Sequence, residues 1–99
     1  MYGTIARLRV QAGRESELLE HLNGYDAHLA PGFVATALYR GDQGGGVYWL
    51  AAIFESREAY RANADSPEQD ARYREFRGFL DADPEWHDGD VLLRVTAPG

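Results

Sequence analysis

Val47-Tyr48-Trp49-Leu50-Ala51-Ala52-Ile53-Phe54 is a run of apolar, β-branched and aromatic residues of the length of one strand. An antiparallel strand with one solvated face alternates apolar with polar side chains, and this one is apolar on both faces. The sheet that contains it is therefore expected to be covered on both sides. Immediately upstream, the glycine-rich stretch Gly41-Asp42-Gln43-Gly44-Gly45-Gly46 separates it from a second strand-like segment, Phe33 to Arg40. The two are expected to form an antiparallel hairpin.

Working outward, Tyr2 to Val10 reads as a first strand, with Tyr2, Thr4, Ala6, Leu8 and Val10 on one face and Ile5, Arg7 and Arg9 on the other. Leu18, Leu22, Tyr25 and Leu29 recur at helical spacing between Arg14 and about Leu29, with Glu15 and Glu17 at the positive end of the dipole. Gly24 allows this helix to end early. Beyond the hairpin, Ser56 caps a short helix to about Ala64, and Ser66-Pro67-Glu68-Gln69 starts another that runs to about Leu80. Val91 to Thr96 supplies the last strand in this reading. The order β-α-β-β-α-β predicts a ferredoxin-like α+β fold, a four-stranded antiparallel sheet with its helices on one face. The helices cover only that face, so a second copy of the chain is the simplest cover for the other, which makes a homodimer.

Length and composition narrow the function. With 99 residues and 44% hydrophobic content the chain supplies one core, so residues 1–99 are expected to form a single domain. The net charge is -6, the bases are all arginine and they are scattered, which argues against nucleic-acid binding. Without lysine there is no Schiff base, and without cysteine there is no disulfide, thiolate metal site or thiol nucleophile. No segment is apolar enough to suggest membrane attachment, and a cytoplasmic location is expected.

The order of elements, and the stretch Phe54-Glu55-Ser56-Arg57-Glu58-Ala59-Tyr60 followed by Ala62-Asn63 and Ser66-Pro67, resemble the antibiotic biosynthesis monooxygenase superfamily. The likeness extends from Tyr2 to Val95 and implies a dimeric α/β barrel. In polyketide-oxidising members an asparagine, a tryptophan and a tyrosine from the helical region line the substrate cavity. The resemblance places the asparagine at Asn63 and the tyrosine at Tyr73, while Pro67 stands at the tryptophan position. Those members oxidise polycyclic phenols with dioxygen and no metal or flavin. Haem-degrading relatives use an asparagine on the first strand with a histidine and a tryptophan on the later helix. Here the first strand carries Ala6 and Arg7 and the stretch from Ser56 to Leu80 has neither histidine nor tryptophan, so haem degradation is rejected.

The candidate catalytic residues are Asn63, to hold a substrate oxygen, Tyr73, to donate to or steer a phenolate, and His87, as a base oriented by a carboxylate such as Asp88. Tyr60, Phe76 and Trp86 are the candidate substrate contacts, although Trp86 is better suited to pack the loop from Asp83 to Asp90 against the core. The acids from Asp83 to Asp90 do not follow calcium-loop spacing, so no metal and no cofactor is expected. His21 and His28 flank the apolar stripe of the first helix as solvated residues, and Arg7 and Arg9 belong to the dimer face. The glycine-rich loop lacks the lysine and helix of a phosphate-binding loop. The leading functional reading is a cofactor-independent monooxygenase of a small aromatic or quinol-like compound. Its alternatives are a non-catalytic dimer that binds a small hydrophobic or aromatic ligand, and a cofactor-free isomerase or cyclase.

Overall fold

The computed structural model describes residues 1–24 and 29–98. The apolar run 47–54 is a strand paired on both edges. The elements are β1 (Tyr2–Arg9), α1 (Glu15–Leu22), β2 (Phe33–Arg40), β3 (Val47–Phe54), α2 (Arg57–Ala64), α3 (Pro67–Arg77) and β4 (Glu85–Asp90). The sheet order is β2-β3-β1-β4, and every neighbouring pair is antiparallel. This is the ferredoxin-like α+β arrangement, with the second helix split in two.

Register decides which residues meet the helices. Ala6 lies opposite Leu50 and Leu8 opposite Tyr48, and opposed residues in an antiparallel pair share a face. That face carries the core: Ala6, Leu8 and Leu50 pack with Leu18 of α1, Phe76 of α3, and Phe79 and Leu80 just beyond it. Removing the side chain of a fully buried leucine such as Leu18 costs about 2–5 kcal/mol. The end of the second helical region is tied to the sheet by a bridge between Val10 and Leu80 and by the Gln11 side chain, which donates to the Leu80 carbonyl at 3.1 Å.

The opposite face is apolar towards the hairpin, with Tyr39, Trp49, Ala51 and Ile53 beside Ile5, and charged or polar towards β4, with Arg7, Arg9, Glu85 and His87. Ile5 is 56% exposed, Tyr39 61% and Trp49 40%, and Arg7 on the same face pairs with Glu85 at 3.2 Å. β1 and β3 approach closely at Gly3, where a Cβ would stand 2.1 Å from the Ala52 carbonyl oxygen. The β2–β3 hairpin turns through Gly44, Gly45 and Gly46, all at positive φ, a conformation open to glycine at no steric cost.

Two expected boundaries differ. α1 stops at Leu22, with Asn23 as C-cap, rather than continuing towards Leu29, because Asn23-Gly24 is a poor continuation of a helix. Tyr25 and His28 lie outside the described residues. The last strand is Glu85–Asp90 and not Val91 to Thr96. β4 is an edge strand, so polar side chains fit it without periodic apolar patterning, and the segment after it leaves Leu92, Leu93 and Val95 exposed. Among the described residues no helix is long and apolar enough to cross a membrane.

Candidate functional site

The corner between α2 and α3 is built by local capping. Ser56 caps α2 by accepting from the Ala59 amide at 3.0 Å. Ser66 does more: its Oγ accepts from the Gln69 amide at 3.1 Å and donates to the Asn63 carbonyl at 2.8 Å, so one hydroxyl starts α3 and ties it to the end of α2. Pro67 follows in the first turn, where its missing N–H is harmless. Gln69, three residues beyond the cap and so placed to close a capping box, does not reach back to it. Its side-chain oxygen instead accepts from Arg72 Nε at 3.1 Å.

Arg72 also donates through Nη2 to Asn63 Oδ1 at 3.3 Å. A guanidinium has no acceptor, so this contact fixes which end of the Asn63 amide faces Arg72. The Asn63 amide nitrogen is thereby left free to donate elsewhere. Asn63 and Arg72 line a cavity of about 570 Å³ between the helical corner and the inner face of the sheet. A second cavity of about 990 Å³ lies beyond the same pair, beside Ala30, Gly32, Ala59 and Ala62, and is bounded mostly by small side chains. The inner cavity gathers the larger set of polar side chains, Thr4, Tyr60, Asn63, Arg72, Tyr73 and Asp88 among them.

Its apolar wall includes Leu50, Phe54 and Trp86, and its sheet side carries Thr4 and Asp88, which are partners across β1 and β4. The Tyr60 hydroxyl reaches from α2 and donates to Asp88 Oδ1 at 3.0 Å. Burial, and after it the hydrogen bond to the carboxylate, pushes the Tyr60 phenol up to about 12, so it remains a proton donor at neutral pH. Thr4 is 6% exposed, and its hydroxyl tempers that rise without meeting a hydrogen-bond partner at good geometry. A buried hydroxyl facing a cavity without a partner is suited to bind a polar ligand atom.

Four of the six residues singled out from the sequence come together here: Asn63, Tyr73, Tyr60 and Trp86 all line the inner cavity. Phe76 is a core residue behind it, 5% exposed, with its ring 6.3 Å from Tyr73 and 6.5 Å from Trp86. It supports the cavity wall and does not form it. His87 is set apart. It pairs with Ile5, whereas Trp86 and Asp88 pair with Ala6 and Thr4, and successive strand residues point to opposite faces. His87 therefore lies on the sheet face turned away from the helices, and Asp88 faces the other way and cannot orient it.

Thr4 and Arg72 are cavity residues that the sequence reading did not assign to the site, and Asp88 was given only as a carboxylate to orient His87. Thr4 had a readable signal, a polar residue among Ala6, Leu8 and Val10 on one strand face. Asp88 was hidden because β4 was read as a loop. His21, expected to be solvated, packs instead against Phe76 and Phe79 with ring centroids 6.1 and 5.8 Å away, and burial lowers its pKa. Among the described residues no group of three or more His, Asp or Glu side chains is placed to hold a metal ion.

The sequence profile of the antibiotic biosynthesis monooxygenase family matches residues 1–75, a span that contains Thr4, Tyr60, Asn63, Arg72 and Tyr73. The chain belongs to that family. None of the curated proteins matches it significantly. Among solved structures, SnoaB from Streptomyces nogalater, a cofactor-independent oxygenase studied as an Asn-to-Ala mutant, superposes with a TM-score of 0.80 at 17% identity, covering 97% of each chain. A Caulobacter crescentus protein named for the same family gives 0.78 at 20% identity, over 93% of this chain and 90% of that one. One from Chloroflexus aurantiacus gives 0.73 at 22% identity, over 99% and 96%. At these identities the superpositions speak for the shared fold of the antibiotic biosynthesis monooxygenases. The helical corner and the inner cavity of this member are its own to interpret.

Proposed function

We propose that the protein is a cofactor-independent monooxygenase of a small aromatic phenol or quinol-like compound, acting in the inner cavity. The observation that carries this reading is the pairing of a proton acceptor with an oxyanion donor across an apolar space. Asp88 offers a carboxylate held by Tyr60, and Asn63 offers amide hydrogens held in place by Arg72. Asp88 takes the proton of one hydroxyl, and Asn63 donates to a second oxygen of the same conjugated ring system, onto which the negative charge spreads. Tyr73 and Trp86 pack against the ring system, and Thr4 supplies a further hydrogen bond. A bound ring displaces water from the apolar part of the cavity, lined by Leu50 and Phe54, which strengthens these interactions.

The chemistry balances without an added reductant. A deprotonated phenol is electron-rich and passes one electron to dioxygen, and the resulting radical pair joins as a hydroperoxide at a ring carbon. Loss of water leaves a new carbonyl there. One oxygen atom stays in the product, the other leaves as water, and the substrate supplies all the electrons. The relationship to SnoaB, a cofactor-independent oxygenase, supports the same class of reaction.

The protein acts as a homodimer in this reading, closed into an α/β barrel through the uncovered sheet face. Ile5, Tyr39 and Trp49 support it, since a contiguous apolar face is unfavourable in water, and so do the exposed Leu92, Leu93 and Val95. A monomer in sedimentation at micromolar concentration contradicts it.

Oxygen uptake with a panel of naphthols and dihydroxynaphthalenes in metal- and flavin-free buffer tests the activity. The expected result is uptake that falls at least about tenfold in Asn63→Ala. Binding of the same compounds without uptake by any of them assigns the protein to ligand binding and overturns the oxygenase reading.

A further inference from the structure

Four arginines are half-buried: Arg7, Arg14, Arg72 and Arg77. Three pair with carboxylates, Arg7 with Glu85 at 3.2 Å, Arg14 with Glu17 at 2.9 Å and Arg77 with Asp83 at 2.8 Å. Arg72 does not. Among the described residues its hydrogen-bond partners are the neutral side chains of Gln69 and Asn63, and its remaining N–H groups have no protein acceptor. Withdrawing a permanent charge from water without an opposite charge is unfavourable. The charge is felt nearby, because Arg72 contributes to lowering the pKa of His21.

Arg72 lines both cavities; the two acids of the inner one are engaged elsewhere, and among the described residues Glu55 and Glu68 of the outer one make no ion pair with it. Asp70 pairs with Arg74 at 2.5 Å, and Asp88 accepts from Tyr60. Gln69 and Asn63 hold the guanidinium by its Nε and Nη2, so it is oriented before a ligand arrives. A pre-oriented arginine with free donors and no counter-charge is a receptor for an anionic oxygen group, and a planar carboxylate matches its geometry.

We propose that Arg72 is a specificity residue that receives a carboxylate, and that the substrate is an aromatic acid, a phenol or quinol that also carries a carboxylate on its ring system. This rests on the monooxygenase reading for the word substrate, but the binding claim stands independently of turnover. The acid group pairs with Arg72 at the α2–α3 corner, and the hydroxyl to be deprotonated lies towards Asp88 on the sheet.

The test measures binding of naphthoate, its methyl ester and naphthol at neutral pH by quenching of tryptophan fluorescence, since Trp86 lines the cavity. Wild type, Arg72→Gln and Arg72→Lys are compared, with circular dichroism as the check on folding. Wild type is expected to bind the acid at least about tenfold more tightly than the ester. Arg72→Gln should abolish that preference, and Arg72→Lys, which restores the charge, should recover part of it. Equal affinity for acid and ester in wild type, or a preference that survives Arg72→Gln, overturns the proposal. A preference for naphthol over naphthoate that depends on Arg72 also overturns it, assigning the charge to a phenolate. A protein that binds the acid through Arg72 but consumes no oxygen fails only as an oxygenase. One that oxidises naphthols while ignoring the carboxylate fails only here.

Discussion

The Tyr60 hydroxyl donates to Asp88 Oδ1 at 3.0 Å, joining a helix that begins at Arg57 to the edge strand 28 residues later in the chain. Burial and this carboxylate raise the Tyr60 pKa to about 12. A raised folded-state value means that the contribution to stability is complete below the ordinary tyrosine pKa, near 10, and is lost as pH rises through about 12. Tyr60→Phe should therefore remove one late-titrating phenol from the ultraviolet titration and flatten the loss of stability in that window. A titration unchanged by the substitution contradicts the pairing.

His87 and Asp88 are adjacent in sequence and lie on opposite faces of the sheet. If the inner cavity is the reaction site, Asp88→Asn should lower kcat by about a hundredfold or more, the scale of a lost general base. His87→Asn should leave kcat within about twofold, because the imidazole lies on the opposite side of the sheet from the cavity. The reverse ranking in steady-state kinetics contradicts the assignment of the cavity.

Ser66 starts α3 and ties it to Asn63 with a single hydroxyl. Ser66→Ala should cost about 0.5–2 kcal/mol in denaturant unfolding, the range for a lost N-cap. It should also lower kcat, because the Asn63 carbonyl loses its tether. Ser56→Ala removes a cap without this link, and should cost similar stability with a smaller kinetic effect.

At the far end of the sheet, Glu15 accepts from Arg40 at 2.6 and 2.8 Å and from the Tyr48 hydroxyl at 2.6 Å, joining the first turn of α1 to β2 and β3. The hydrogen bonds from Arg40 and then Tyr48 hold its carboxyl down to about 2. A depressed value gives stability that is present above about 4.5 and lost as pH falls towards about 2. Glu15→Gln should flatten unfolding free energy against pH across that acid range. An unchanged acid limb contradicts the network.

Much of the fold was legible because the decisive signals were local. The run 47–54, the glycine hairpin and the two serine caps each dictate geometry within a few residues. The last strand was not, because β4 is an edge strand whose polar sequence Glu85-Trp86-His87-Asp88-Gly89-Asp90 carries no apolar alternation, while the more strand-like Val91 to Thr96 lies outside the sheet. That one displacement also moved the site. Reading residues 83–90 as a loop left His87 and Asp88 free to cooperate, whereas a strand separates them by construction. The family resemblance pointed to Asn63 and Tyr73, which both line the inner cavity. Arg72 was not legible, since the lack of a paired carboxylate among the described residues is a property of three-dimensional neighbours.

The central claim is that this cavity joins dioxygen to an aromatic substrate without a cofactor, and labelled oxygen tests it most directly. Metal- and flavin-free protein turning over a naphthol under ¹⁸O₂ should yield a quinone carrying one labelled oxygen atom, with one dioxygen consumed per product. Product without label, with its new oxygen drawn from water, or no product from any bound phenol contradicts the account.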